Sequence, residues 1–201
     1  MTRTNQPRFT APSCWLPLAL CALLVGAGCS PSSKQVEDPS VGMNGGFEHT
    51  RSGLPINWIV YTPDAVREGS CEVLLDDEDF KEGGQSLHFL VRDCSAEGGW
   101  HSPGITQEFP VTPGATYAIR FWIKSEGCAW TVSIGGVAAK TGEYERLESS
   151  EFPAVAWREV EREYTVPPDF QRLRLELSIT SPGNLWIDDV RLEPLSRSPG
   201  E

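Results

Sequence analysis

The apolar residues of this chain recur with a period of two. Leu173, Leu175, Leu177 and Ile179 alternate with Arg174, Glu176 and Ser178, and Tyr117, Ile119, Phe121 and Ile123 alternate with Ala118, Arg120, Trp122 and Lys124. Successive side chains of an extended strand point to opposite faces, so each run has one apolar face and one wet face. No stretch sustains the spacing of an amphipathic helix. The pattern predicts strands over Asn57–Thr62, Cys71–Leu75, Gln85–Val91, Ile105–Phe109, Thr116–Lys124, Ala129–Ile134, Arg158–Val166, Leu173–Ile179 and Leu185–Leu192. Pro113-Gly114 and Ser181-Pro182-Gly183 supply turns between them. Short strands with one wet face, and no internal repeat, predict a single all-β module built as a two-sheet antiparallel β-sandwich over residues 43–194.

The N-terminus breaks this pattern. Arg3 and Arg8 precede a continuous apolar run, Trp15 to Gly26. It is shorter than the roughly 20 residues of a spanning helix and has the length of a signal-peptide core. It ends in Val25-Gly26-Ala27-Gly28-Cys29-Ser30. Small residues running into a cysteine resemble a bacterial lipoprotein lipobox, although that family prefers Leu where Gly26 stands. The resemblance implies a signal peptide over residues 1–28 and lipidation of Cys29, which would tie an exported protein to a membrane at the cell surface or in the periplasm. The contrasting reading is an ordinary secretory signal cleaved nearby. Residues 29–42 are Ser/Pro-rich and polar, as a flexible tether requires. The similar composition of residues 195–201 predicts a disordered tail.

Charge narrows the partners. Lys plus Arg number 17 against 28 Asp plus Glu, a net charge of −11. Residues 1–28 hold two of the bases and no acid, so the mature chain carries −13. That balance argues against nucleic acid or anionic lipid as a partner held by bulk charge. Cysteine use agrees with export. Cys14, Cys21 and Cys29 belong to the leader, leaving Cys71, Cys94 and Cys128 for the domain. In an oxidising compartment an odd count implies one disulfide and one free thiol. Cys71 opens one predicted strand and Cys94 closes the next, so antiparallel pairing would bring them together. No zinc spacing or CxxC pair is present. Hydrolase and nucleotide-binding signatures are also missing. Glu159, Glu161 and Glu163 read as an exposed strand face shared with Arg158 and Arg162. A glycosidase needs two carboxylates placed across a scissile bond, which this pattern does not suggest, so the reading is non-catalytic.

The order of short motifs is more specific than the class. Asn44-Gly45-Gly46-Phe47-Glu48 opens the domain, followed by Gly53-Leu54-Pro55, Trp58, Gly83-Gly84-Gln85-Ser86-Leu87, Val111-Thr112-Pro113-Gly114-Ala115-Thr116-Tyr117 and Phe121-Trp122-Ile123-Lys124-Ser125. Trp157, Tyr164-Thr165-Val166-Pro167, Leu173-Arg174-Leu175 and Trp186-Ile187-Asp188-Asp189-Val190-Arg191-Leu192 close it. This series resembles the carbohydrate-binding modules of the family 4/9 type, jelly rolls of the galactose-binding-like superfamily. The resemblance implies that the module binds an oligo- or polysaccharide, as a monomer. It also implies a structural calcium where the two chain ends meet beside the loop before Gly83. Glu48 and Asp188 would supply carboxylates, Gly46 a carbonyl, and Asp77 or Asp79 a further oxygen.

Sugar rings stack on flat aromatic surfaces, so position sorts the tryptophans. Trp58, Trp157 and Trp186 occupy motif positions that pack in or against the sandwich. Trp100, Trp122 and Trp130 remain as candidate platforms, although Trp130 shares a face with Val132 and Ile134 and fits burial equally well. Arg120, Arg174 and Glu176, on wet strand faces, are candidate hydroxyl partners, or else members of surface salt bridges. The competing function is a structural or protein-interaction module that keeps the fold without binding sugar. The two readings differ in whether Trp100 and Trp122 line one groove.

Overall fold

The computed structural model describes residues 37–61, 69–137, 144–150 and 154–195. The leader, Cys29 and the end of the C-terminal tail lie outside the described residues, as does the side chain of Trp100. The described chain contains twelve strands: β1 (Thr50–Arg51), β2 (Leu54–Pro55), β3 (Ile59–Tyr61), β4 (Gly69–Asp76), β5 (Ser86–Cys94), β6 (Gly104–Pro110), β7 (Thr116–Glu126), β8 (Trp130–Gly136), β9 (Tyr144–Ser150), β10 (Ala154–Thr165), β11 (Arg172–Ile179) and β12 (Gly183–Pro194). β1 and β2 form a small hairpin. The others make two five-stranded sheets, β10-β7-β12-β5-β4 and β3-β6-β11-β8-β9, termed the first and second sheet. Every strand pairing is antiparallel. The protein is a β-sandwich of jelly-roll type.

The alternation seen in the sequence sets the layers. Leu173, Leu175, Leu177 and Ile179 face inward from the centre of the second sheet, and Tyr117, Ile119, Phe121 and Ile123 face them from the first; all are buried. Each fully buried side chain of this size contributes about 1.5–3 kcal/mol, so the facing rows supply most of the drive to close the sandwich. The sequence pattern does not predict β9. Of its seven residues only Leu147 is buried, so an edge strand with a nearly all-polar sequence leaves no hydrophobic signal.

The N-terminal edge of the module also differs from expectation. Residues 38–42 do not trail away as tether. Asp38 caps a 3-10 turn over Pro39–Val41. Asn57 then pins this segment, its side chain donating to the Asp38 and Gly42 carbonyls at 2.9 and 2.7 Å and accepting from the Asp38 amide at 2.7 Å. The other end of the domain meets this start, where the Val190 amide donates to the Gly45 carbonyl at 3.0 Å. Gly45 must be glycine because a Cβ there would stand 1.8 Å from the Val190 carbonyl oxygen.

Candidate functional site

The two sheets present very different outer faces. On the second sheet the strand register lays polar side chains in rows across the strands. One row runs Ile59, Thr106, Glu176, Ser133, Arg146 from β3 to β9, and the next holds Glu108, Arg174, Gly135 and Tyr144. Tyr61 on one edge strand and Tyr144 on the other reach back toward the central strand β11. The Tyr61 hydroxyl donates to Glu176 Oε2 at 3.0 Å. Arg174 Nη1 donates to the Tyr144 hydroxyl at 3.0 Å, reaching past Gly135, which has no side chain to block the way. The turn Gly99–His101 closes one end, with the Gly99 amide donating to Ser178 Oγ at 2.9 Å.

Charges of both signs lie side by side on this face. Glu108 Oε1 accepts from Arg174 Nε at 3.0 Å and from Nη2, while Arg172 pairs with its other oxygen at 3.7 Å. Arg172 and Arg174 thus stand against Glu108 and Glu176, and Arg146 in the neighbouring row adds a further positive charge. Burial drives the Tyr61 phenol well above its ordinary pKa, and the adjacent charge of Glu176 pushes it further. Tyr61 therefore stays protonated and spends its proton on Glu176. Its oxygen can still accept. Tyr144 accepts from Arg174, so its own proton is free to donate. The face offers donors and acceptors side by side beneath two aromatic rings, the chemistry that a polyol ring requires.

On the first sheet the outer face is covered in part, around Trp122, Trp157 and Trp186. The loop after β4 folds back across it, held at several points. Trp186 Nε1 donates to Asp76 Oδ2 at 2.8 Å, and Trp157 Nε1 and Lys124 Nζ each reach Asp79 at 2.6 Å. Asp188 Oδ2 accepts from the Lys81 and Glu82 amides at 2.8 and 3.0 Å. Glu48 Oε1 accepts from the Gly84 and Gln85 amides at 2.8 and 3.3 Å. Trp186 itself is sandwiched in its row, stacked on His88 at 4.2 Å with Lys124 over the ring, also at 4.2 Å.

These placements divide the candidates read from the sequence. Arg174 and Glu176 stand at the centre of the open face. Trp122 does not. It projects from β7 on the first sheet, beneath Lys81 Nζ at 4.4 Å, whereas the turn bearing Trp100 contacts β11 of the second sheet. The backbone turn that carries Trp100 thus lies against the second sheet and Trp122 on the first; whether the two line one groove falls outside the described residues, because the side chain of Trp100 does. Arg120 likewise belongs to the first sheet, in ion pairs with Glu161 at 2.9 Å and Glu193 at 3.4 Å. The candidate Trp130 is corrected. It is 1% exposed, packed inward with Val132 and Ile134, and out of reach of a surface ligand. Tyr61, Tyr144 and Glu108 escape sequence reasoning, because alternation marks a wet face but not which residues two strands away converge on it.

The groups expected around calcium do meet beside the right loop, where their carboxylates accept N–H donors. Both oxygens of Asp79 are committed to N–H donors, both oxygens of Asp188 accept backbone amides, and Glu48 accepts two more. Among the described residues no three His, Cys, Asp or Glu side chains converge as a metal site.

Comparison with known proteins identifies the class of this sandwich. Residues 40–183 match the profile of the carbohydrate binding domain of the CBM 4/9 type. The chain belongs to this family. No curated protein matches it in sequence. Among solved structures it is similar to the CBM22-1 xylan-binding domain of Paenibacillus barcinonensis Xyn10C, with a TM-score of 0.55 at 15% identity, over 76% of this chain and 93% of that one. It is also similar to a structure described under "CBM4 structure and function", with a TM-score of 0.53 at 17% identity, over 76% and 98%. The CBM22-1–GH10 modules of the Clostridium thermocellum xylanase Xyn10B, complexed with xylohexaose, match with a TM-score of 0.54 at 16% identity, over 69% and 26%. The module is thus a carbohydrate-binding β-sandwich of a class that is typically non-catalytic.

Proposed function

We propose that this protein binds an uncharged polysaccharide, of the xylan kind named for its structural neighbours, across the outer face of its second sheet, and does no chemistry on it. One observation carries the reading: edge tyrosines Tyr61 and Tyr144 are pinned by their hydroxyls to Glu176 and Arg174 on the central strand. The pinning fixes both ring positions before a ligand arrives, which lowers the ordering cost of binding. The carboxylates of Glu108 and Glu176 at the centre of this face disfavour uronic acids. Calorimetric titration with xylohexaose and with an oligogalacturonate tests this. Binding of the neutral oligosaccharide alone is expected; preference for the acidic one, or no heat with either, would sink it.

Two further parts of the reading concern the chain ends. We infer that lipid on Cys29 holds the module at a membrane after export; membrane fractionation of Cys29→Ser is expected to move the protein to the soluble fraction. We also infer that the clasp between the ends is built from N–H donors and carboxylates and needs no metal. Its support is the saturation of Asp188 and Asp79 by N–H groups. A chelator is then expected to leave the thermal midpoint unchanged, and a drop of several degrees restored by calcium would overturn this.

A further inference from the structure

All three cysteines of the domain gather at one end of the first sheet. The β4–β5 pairing places Gly69 opposite Cys94 and Cys71 opposite Val91, with a bulge at the intervening Arg92. The bulge adds one residue to β5, so Cys94 returns to the inward side that Cys71 already occupies. Val91 in turn lies opposite Gly183 of β12. Gly183 abuts Cys128, whose amide nitrogen lies 2.5 Å from where a Cβ on Gly183 would stand. Cys128 Sγ donates to the Asn184 carbonyl at 3.1 Å. Cys71 and Cys128 are buried, at 5% and 1% exposure, while Cys94 is only partly covered.

We propose that these residues form a three-thiol centre in which Cys94 is the shared partner, able to bridge to Cys71 or to Cys128 and leaving the other as a buried free thiol. Accessibility sets the order of events. Cys94 is the thiol an external oxidant can reach, and that oxidant is a disulfide, either a small molecule or a protein. The Cys94 thiolate attacks one of its sulfurs and expels a thiol, forming a mixed disulfide. The thiolate of Cys71 or Cys128 then attacks Cys94 Sγ and expels the second thiol. Two cysteine protons are lost, one S–S bond forms in the protein, and the oxidant is reduced by two electrons to two thiols. Burial pushes the Cys71 thiol up to about 11 and Cys128 up to about 12, with charge on Cys94 adding to both. Burial and the charge of Asp93 raise the Cys94 thiol as well, so none of the three ionises readily and the order of events rests on accessibility and proximity.

The position of Cys94 gives the bridge a structural effect. Cys94 ends β5, and the next residue begins the loop to the turn at Gly99–His101. That loop is held by Ser102 Oγ donating to the Ser95 carbonyl at 2.6 Å and by the Gly99 amide on Ser178. Bridging Cys94 therefore secures the root of the segment that closes one end of the open face.

Peptide mapping of the full chain tests the assignment. Cys71, Cys94 and Cys128 fall on three separate tryptic peptides. After treatment with glutathione disulfide, the non-reduced digest is expected to show the Cys94 peptide joined to the Cys71 or the Cys128 peptide, each pair lighter by two hydrogens. The third thiol should alkylate only after unfolding. In Cys71→Ala all of the bridge should move to Cys128. A Cys71–Cys128 bridge, or full alkylation of all three thiols in the treated wild-type chain, would overturn the proposal. Mapping of the wild-type chain separates these outcomes even if the variant does not fold.

Discussion

The two outer faces of this sandwich begin with similar materials and end with opposite uses. Each has aromatic rings, arginine or lysine, and carboxylates on the wet side of antiparallel strands. On the first sheet the loop after β4 brings Asp76 and Asp79 down onto the indole N–H groups of Trp186 and Trp157, and it brings the Lys81 and Glu82 amides onto Asp188. On the second sheet the equivalent polar groups satisfy one another across strands and leave the rings of the edge tyrosines at the surface, with Tyr144 44% exposed. Aromatic content alone therefore does not mark a binding face. What matters is whether a nearby segment of the same chain already uses it.

The sharpest way to break this contrast is to remove the centre of the closed face. Asp188 is fully buried and accepts three backbone amides. An Asp188→Ala change strands those donors, each costing about 1–3 kcal/mol, so a loss of roughly 3 kcal/mol or more is expected in thermal unfolding. Glycan affinity at low temperature should stay within about twofold, since the open face is untouched; a parallel loss of affinity would show that the faces are coupled. Removing the centre of the open face should do the reverse. Arg174→Ala is expected to weaken glycan binding at least about tenfold, near 1.4 kcal/mol, while the unfolding midpoint barely moves. Trp122→Ala serves as its control. Loss of the Lys81 contact costs about 0.5–1 kcal/mol of stability and no affinity.

The smallest effect separates the faces by pH. Burial pulls Asp79 upward, but its bonds from Lys124 and Trp157 outweigh this and hold it below the ordinary carboxylate value; Asp76 is held low in the same way by Trp186 and the Glu78 and Asp79 amides. Their stabilisation is present above the unfolded value of about 3.8 and is lost as pH falls through the lowered folded values. Asp188 has the opposite sign. Burial raises it, so its contribution is fullest below 3.8 and declines as pH rises through its folded value. A modest drop in midpoint is therefore expected below about pH 4, and Asp79→Asn should flatten it. An unchanged acid limb in that variant would mean that Asp79 does not hold the loop.

Several of these relations are legible without any coordinates. Alternation at Leu173–Ile179 and Tyr117–Ile123 gives strands β11 and β7 and their inward rows, because burial on one side of a strand leaves a period of two. The Gly-Phe-Glu start and the Ile-Asp-Asp end do meet beside Gly83. Arg174 and Glu176 do face outward, as their alternation with the leucines requires. β9 is silent, since an edge strand with one buried residue carries no periodic signal. The role of Tyr144 is lost with it.

By itself, then, the sequence determined the class of fold, the inward face of each main strand and the acidic, motif-bearing frame of a carbohydrate-binding module. Only the tertiary structure decided which sheet each strand joined. That assignment put Trp122 and Arg120 on the opposite side from Arg174, buried Trp130, and turned Glu48, Asp79 and Asp188 toward N–H donors. The physical reason is that alternation encodes which side of a strand is wet, a local property. Which wet side a loop covers, and which residues meet on the other, depends on pairings between segments far apart in the chain.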